Sequence, residues 1–184
     1  MNREIGDDHP LKAFLSDALG ESLNHRLGLN EDDEVQSYLV RMLIRFLHRD
    51  AIYDIRNAQG LRVESVAEMV SEGDIRLNAD SFDREREVHK HIGDFLLFWS
   101  GVFPEFLQYL KAPTSPDAVL DVVEQGRFSY HVASTFEHPP YEQEAGTFKK
   151  LSARFVEYQH GLRLVRSSFE GFAQQTDWLD GFRA

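Results

Sequence analysis

The feature that most constrains this chain is a run near its C-terminal end: Phe148, Leu151, Phe155, Tyr158, Leu162, Val165, Phe169 and Phe172, spaced alternately three and four. Residues at those intervals share one face of an α-helix and no face of a strand. The run therefore predicts a helix with apolar contacts along its whole length. As an a/d seam it exceeds three heptads, and an unbroken helix of that span is ~40 Å long at the standard rise. Gly161 lies within it, yet the seam keeps phase across the glycine, which predicts at most a bend. Two arrangements satisfy the seam: a spine inside the bundle, or pairing with a second copy of the chain. Its aromatic content favours the spine, because coiled-coil dimers prefer branched aliphatic residues at these positions.

The same periodicity recurs upstream, and no convincing alternation of period two appears. Pro10 suits a first helical turn, after which Leu11, Phe14, Leu15, Leu19 and Leu23 face inward until Gly28. The acidic run Glu31 to Glu34 opens a second helix with Val35, Leu39, Met42, Leu43, Phe46 and Leu47 on a broad apolar arc. A third, weaker helix is expected from about Leu61 to Val70. The stretch from Gly73 to Asp80 reads as a loop whose Ile75 and Leu77 dock onto the body. A fourth helix, from about Phe82 to Ser100, begins polar and ends in Phe95-Leu96-Leu97-Phe98-Trp99, which predicts the middle of the core. Gly101 stops it, and Pro104-Glu105 opens a short helix. Ser115-Pro116-Asp117 then reads as cap, first-turn proline and favourable acid of a fifth helix. That helix carries Val119, Val123, Gly126, Tyr130 and Ala133 on one stripe and ends before Pro139-Pro140. The expectation is an all-α, single-domain bundle of about six to seven helices with a long C-terminal helix. It covers residues 1–184, with residues 1–9 as a flexible arm and 174–184 as a tail.

Composition decides which chemistries remain. A chain of 184 residues buries roughly 70% of its unfolded surface. With 42% hydrophobic residues, 14 of them Phe, it has the apolar content that a disordered chain lacks. It contains no cysteine, which excludes disulfides, thiolate metal sites, iron–sulfur clusters and a cysteine nucleophile. The acidic N-terminal residues lack the apolar run of a signal peptide and the missing thiols add no hint of an oxidising compartment, so the expectation is the cytoplasm. The most apolar stretch, from Ile92 to Leu110, holds Asp94, Pro104 and Glu105, and so reads as core rather than membrane span. A formal charge of −11 repels phosphate backbones and anionic lipid, which argues against nucleic-acid and membrane partners.

Two polar groupings stand out. Helical spacing sets Glu87, His91 and Asp94 on one side of the fourth helix, just before its most apolar turns. A carboxylate there needs partners, since an isolated buried charge costs several kcal/mol. Arg127 and Arg45 are the candidate partners, with Tyr130 close by. The other grouping is Arg41, Arg45 and Arg49, spaced four apart and so in one row on the second helix, where they would meet solvent, an anion or a partner. Metal chemistry finds little support. His89 and His91 diverge by about 160 degrees on a helix, and Glu157-x-x-His160 is a lone match to a di-iron pattern. No phosphate loop, G-x-S-x-G elbow or H-E-x-x-H helix occurs. A serine–histidine pairing around Ser134 and His131 rests on proximity in sequence alone.

Three stretches carry a resemblance: Gly93-Asp94-Phe95-Leu96-Leu97-Phe98 leading to Gly101-Val102-Phe103-Pro104-Glu105; Glu124-Gln125-Gly126-Arg127-Phe128-Ser129-Tyr130; and Leu151 through Phe155. Together they resemble a family of uncharacterised bacterial all-helical proteins over roughly residues 35–170. That resemblance implies a bacterial, cytosolic helical protein with Gly93, Asp94, Gly101, Pro104, Glu105 and Gly126 in a shared pattern, and implies no activity. The leading functional expectation is a non-enzymatic module that binds another protein or itself as a homodimer, without cofactor or metal. The alternative is a small-molecule- or metal-binding bundle, with or without catalysis, centred on His91 and Asp94.

Overall fold

The computed structural model describes residues 10–29 and 33–175, and the side chains of residues 34–168 from the second helix onward. The expectations for residues 1–9, for the tail beyond 175 and for the seam positions Phe169 and Phe172 lie outside what it describes. Helix α1, Pro10–Gly20, runs on through a π-helical turn, Glu21–Arg26. Gly28, at φ 63°, ends it in the left-handed region that favours glycine. Then follow α2 (Asp33–Arg45), α3 (Arg49–Ile52), α4 (Val66–Gly73) and α5 (Phe82–Val102). A 3-10 turn, Pro104–Phe106, leads into α6 (Leu107–Leu110), and α7 (Val122–Ser134), α8 (Glu142–Ala153) and α9 (Phe155–Gln175) complete the chain. Among the described residues the only β feature is an isolated bridge between Arg56 and Arg62, and no helix is long and apolar enough to cross a membrane.

Helix α5 is the axis of this all-α bundle, packed against α4, α7 and α9, while α8 covers α7. Its start is capped by the Ser81 hydroxyl, which accepts from the Arg84 amide at 3.2 Å, with Asp83 and Glu85 in the first turn. At its other end the guanidinium of Arg163 donates to the Ser100 carbonyl, and that of Arg166 donates to Val102. Acids at the N-terminus and arginines at the C-terminus both match the helix dipole. Between them Ile92, Phe95, Leu96 and Leu97 are fully enclosed. At roughly 1.5–3 kcal/mol for each such side chain, this half-helix supplies much of the hydrophobic stabilisation.

The seam resolves as an internal feature. It is carried by two helices rather than one, because the backbone breaks between Ala153 and Phe155 at Arg154. Phase survives the break: Phe148, Leu151, Phe155, Tyr158, Leu162 and Val165 are all between 0 and 3% exposed within a single chain. The break lets α8 lean on α7 while α9 follows α5, a division of contacts that a straight rod cannot make. Helix α9 passes through Gly161 uninterrupted. A Cβ there would lie 2.5 Å from Leu23 Cδ2, so the glycine makes room for the end of α1.

Several local expectations fail, some to a longer-range contact and one to a competing local turn. Helix α2 stops at Arg45, and a tight turn brings Ile52 and Ile55 into the core; Arg49 consequently opens α3 and leaves the row of Arg41 and Arg45. The helix expected from Leu61 begins only at Val66. The Asn57 side chain accepts from the amides of Gln59 and Leu61, folding 57–61 into a turn that competes with helix. Ser115-Pro116 does not open α7, which starts at Val122 under an Asp121 cap. Asp117 instead turns its buried carboxylate to the Val66 and Ala67 amides at 2.9 and 2.8 Å, capping α4 from 50 residues away. Val119, expected inside, is 97% exposed, and Ile75 and Leu77 face solvent rather than the body.

Candidate functional site

Asp94 sits where α5 passes from its polar to its apolar half, and it is buried. Its Oδ1 accepts two phenolic hydrogen bonds, from Tyr38 on α2 at 2.7 Å and from Tyr130 on α7 at 2.8 Å. One carboxylate oxygen thus joins three helices. The residue before it explains how Tyr130 gets there: a Cβ on Gly93 would meet the Tyr130 ring at 2.8 Å, so only glycine lets the ring lie against α5. The same ring stacks on Phe148, while the Tyr38 ring meets Phe148 edge-on. The Gly-Asp pair of the sequence is therefore one device, a space and an acceptor for the same tyrosine.

From Asp94 the network runs outward through Arg45. The guanidinium Nη1 stands 4.0 Å from Asp94 Oδ2, and Nη2 donates to Asp54 Oδ2 at 3.3 Å and to His91 Nδ1 at 3.3 Å. His91 Nε2 lies 2.9 Å from the Ile52 carbonyl. A carbonyl only accepts, so Nε2 carries the proton and Nδ1 is left as the acceptor that Arg45 needs. Above this layer is a surface recess of about 230 Å³, lined by Arg45, Asp54, Ile55, Arg84, Glu87, Lys90 and His91. Arg84, Glu87 and His91 recur at helical spacing along one face of α5.

Burial sets the electrostatics. It raises the Asp94 carboxyl above its ordinary range, against the opposing pull of the Tyr38 bond, Lys90, the Tyr130 bond and Arg45. Burial, followed by the charge of Asp94, pushes both Tyr38 and Tyr130 well above 10, so both phenols remain protonated donors. His91 falls to about 4, first through burial and then through the charge of Arg45, and is a neutral ring at neutral pH. His89 also falls to about 4 through burial. It faces away, its Nδ1 3.4 Å from Ser129 Oγ and its ring against Phe128. Ser129 is fully enclosed, so this serine–histidine contact lacks the access a nucleophile needs.

The structure gathers four of the five residues of the predicted polar site. Asp94 and Tyr130 touch directly, His91 joins through Arg45, and Glu87 lines the recess. Arg127 does not join them, because its Nε donates to the Ser152 carbonyl and its Nη1 pairs with Glu124. Of the predicted arginine row, Arg45 belongs to the site, Arg41 is exposed beside the Tyr38 ring, and Arg49 lies on α3. Tyr38, Asp54, Arg84 and Lys90 were not anticipated. Tyr38 had a readable signal: it lies three residues beyond Val35 on the apolar arc of α2, where a phenol must find a partner for its hydroxyl. Also unforeseen is Arg86, 1% exposed, its guanidinium 3.9 Å from the Tyr141 ring centre. Its Nη1 donates to Glu87 and its Nη2 to Glu144 at 2.7 Å.

Among the described residues no three His, Asp or Glu side chains stand together as a metal site would require. Glu157 and His160 are both exposed, and Ser134 Oγ donates to the His131 carbonyl rather than to an imidazole. Comparison of the chain with protein-family models, curated proteins and solved structures finds no match.

Proposed function

We propose that this chain is a non-enzymatic helical binding protein whose site is the charged recess above His91, and that it takes a small molecule there. The observation that carries this reading is the position of Arg45: its guanidinium stands 4.0 Å from the buried Asp94 carboxylate on one side and lines the recess on the other. A ligand that engages Arg45 would thereby act on the carboxylate that ties α2, α5 and α7. At 230 Å³ the recess is below the ~300–1,000 Å³ of drug- and cofactor-sized sites, which favours a compact ligand over a nucleotide. A bacterial, cytoplasmic setting belongs to the same reading, supported by the motif resemblance.

A thermal-shift panel of small metabolites tests it. A ligand at a hundred times its Kd adds about 2.7 kcal/mol, roughly 5–10 °C in a chain of this size. Arg45→Gln should abolish the shift. Melting that no compound moves would remove the small-molecule reading. A second reading, an interaction module that pairs with another protein or with itself, draws on Ile75, Leu77 and Phe82, exposed at 39, 65 and 65% in one short stretch. Light scattering at tens of micromolar decides its self-associating form, which a monomeric mass would eliminate.

A further inference from the structure

The charge pattern of the recess narrows the ligand class. Its lining presents three cations, Arg45, Arg84 and Lys90, against two acids, Asp54 and Glu87. The layer behind it adds Arg86 against Asp94 and Glu144. Four cations face four carboxylates, so the neighbourhood as a whole has no net charge to draw a simple anion or cation. What it has is charge of both signs around one recess, with hydrogen-bonding capacity left over. The Arg84 guanidinium donates to a backbone carbonyl, that of Arg56, at 2.7 Å, and among the described contacts it has no carboxylate. Lys90 is 3.8 Å from Glu144, beyond hydrogen-bond length. Asp54, its side chain 65% exposed, accepts from Arg45 through Oδ2 at 3.3 Å, and Glu87, half exposed, accepts from Arg86 through Oε1, so each carboxylate keeps a second oxygen for a ligand. A ligand that is itself a dipole can use both sets, an arginine or lysine for a carboxylate and the acids for an ammonium. Volume limits the rest: 230 Å³ is room for about eight water-sized groups at ~30 Å³ each.

Building on the recess as a binding site, we infer that its ligand is a small zwitterion of the free amino-acid class. Its carboxylate is held by Arg84 and Lys90, and its ammonium by Asp54 and Glu87. The test is an NMR titration of the isotope-labelled full chain with the twenty common amino acids. L-glutamate is compared with glutarate, which lacks the ammonium, with n-butylamine, which lacks the carboxylates, and with inorganic phosphate. The expected result is movement of the Arg84, Lys90 and Asp54 signals by at least one amino acid, with each half-molecule binding at least about tenfold more weakly, a factor equivalent to ~1.4 kcal/mol. Arg84→Gln and Asp54→Asn should each weaken the amino acid by a similar factor while circular dichroism shows the helical fold retained. Phosphate or glutarate binding as tightly as any amino acid overturns the zwitterion and leaves the recess as a site. Amino acids that bind both variants as well as the parent also overturn it. If no amino acid moves these signals while another metabolite does, the inference fails alone; if nothing moves them, the binding site fails with it.

Discussion

Gly93→Ala is the substitution that most directly probes how the buried tie is built. The new methyl would sit 2.8 Å from Cδ1 and Cε1 of Tyr130 and 3.0 Å from its Cγ, and the ring cannot retreat freely because it stacks on Phe148. Overpacking of this kind costs about 1–3 kcal/mol. Pushing the hydroxyl off Asp94 adds about 1.5–3 kcal/mol for a lost bond to a charged acceptor. Against this, alanine is the better helix former by about 1 kcal/mol. The net expectation is a loss of about 1.5–5 kcal/mol, or roughly 3–20 °C in melting temperature. Urea denaturation measures it, with Gly146→Ala as the control: that glycine lies exposed in α8 with nothing within 4 Å of a Cβ. The control should therefore gain up to about 1 kcal/mol. Because the clash and the lost bond involve the same ring, Tyr130→Phe in the Gly93→Ala background should cost much less than it does alone. A Gly93→Ala protein as stable as the parent, or one whose two substitutions simply add, would refute the account of Gly93 as the space for Tyr130.

Other outcomes follow from the same geometry. Asp94→Ala strands two buried hydroxyls and uncouples Arg45, and should destabilise by about 3–5 kcal/mol in urea denaturation, whereas Asp94→Asn, which keeps an acceptor, should lose less. Asp117→Ala removes the carboxylate that caps α4 at Val66 and Ala67 and should cost about 1–2 kcal/mol, with hydrogen exchange speeding first in α4. The histidines give a pH dependence with a defined sign. His89 and His91 titrate near 4 when folded but near 6.5 when unfolded, so the unfolded chain binds more protons between those values and stability falls as pH drops from about 6.5 to about 4. Asp94, raised by burial, acts in the opposite sense. Urea midpoints at pH 7 and pH 5, compared between the parent and His91→Gln, isolate the ring from Asp94: the variant should lose less stability on acidification, and an identical pH dependence in both proteins would remove the claim that His91 is buried and neutral.

The parts of the fold legible in the sequence are those encoded over three or four residues. The end of the first helical segment at Gly28, the enclosed half of α5 and the inward face of 148–165 follow from periodicity and terminal chemistry, which are local. The site was legible in part for the same reason. Glu87, His91 and Asp94 share a helix, so spacing aligned them, and burial of the Asp94 turns demanded a partner. Which partner was another matter: the phenols of Tyr38 and Tyr130 meet the demand, Arg45 stands 4.0 Å off, Arg127 turns to Ser152, and Tyr38 gave its signal only as a hydroxyl on an apolar arc.

What the sequence determined by itself is an all-helical chain with a long aromatic seam and a carboxylate in the middle of its core. Tertiary structure alone decided where that carboxylate is tied, to hydroxyls 56 and 36 residues away. It also decided that the seam breaks at Arg154 and that Asp117 caps α4 instead of opening α7. Each of these outcomes reverses or adds to a local preference worth about 1 kcal/mol, and a buried polar group without its partner costs more than that. Local pattern therefore sets the helices, and the requirement to satisfy buried groups sets how they end and meet.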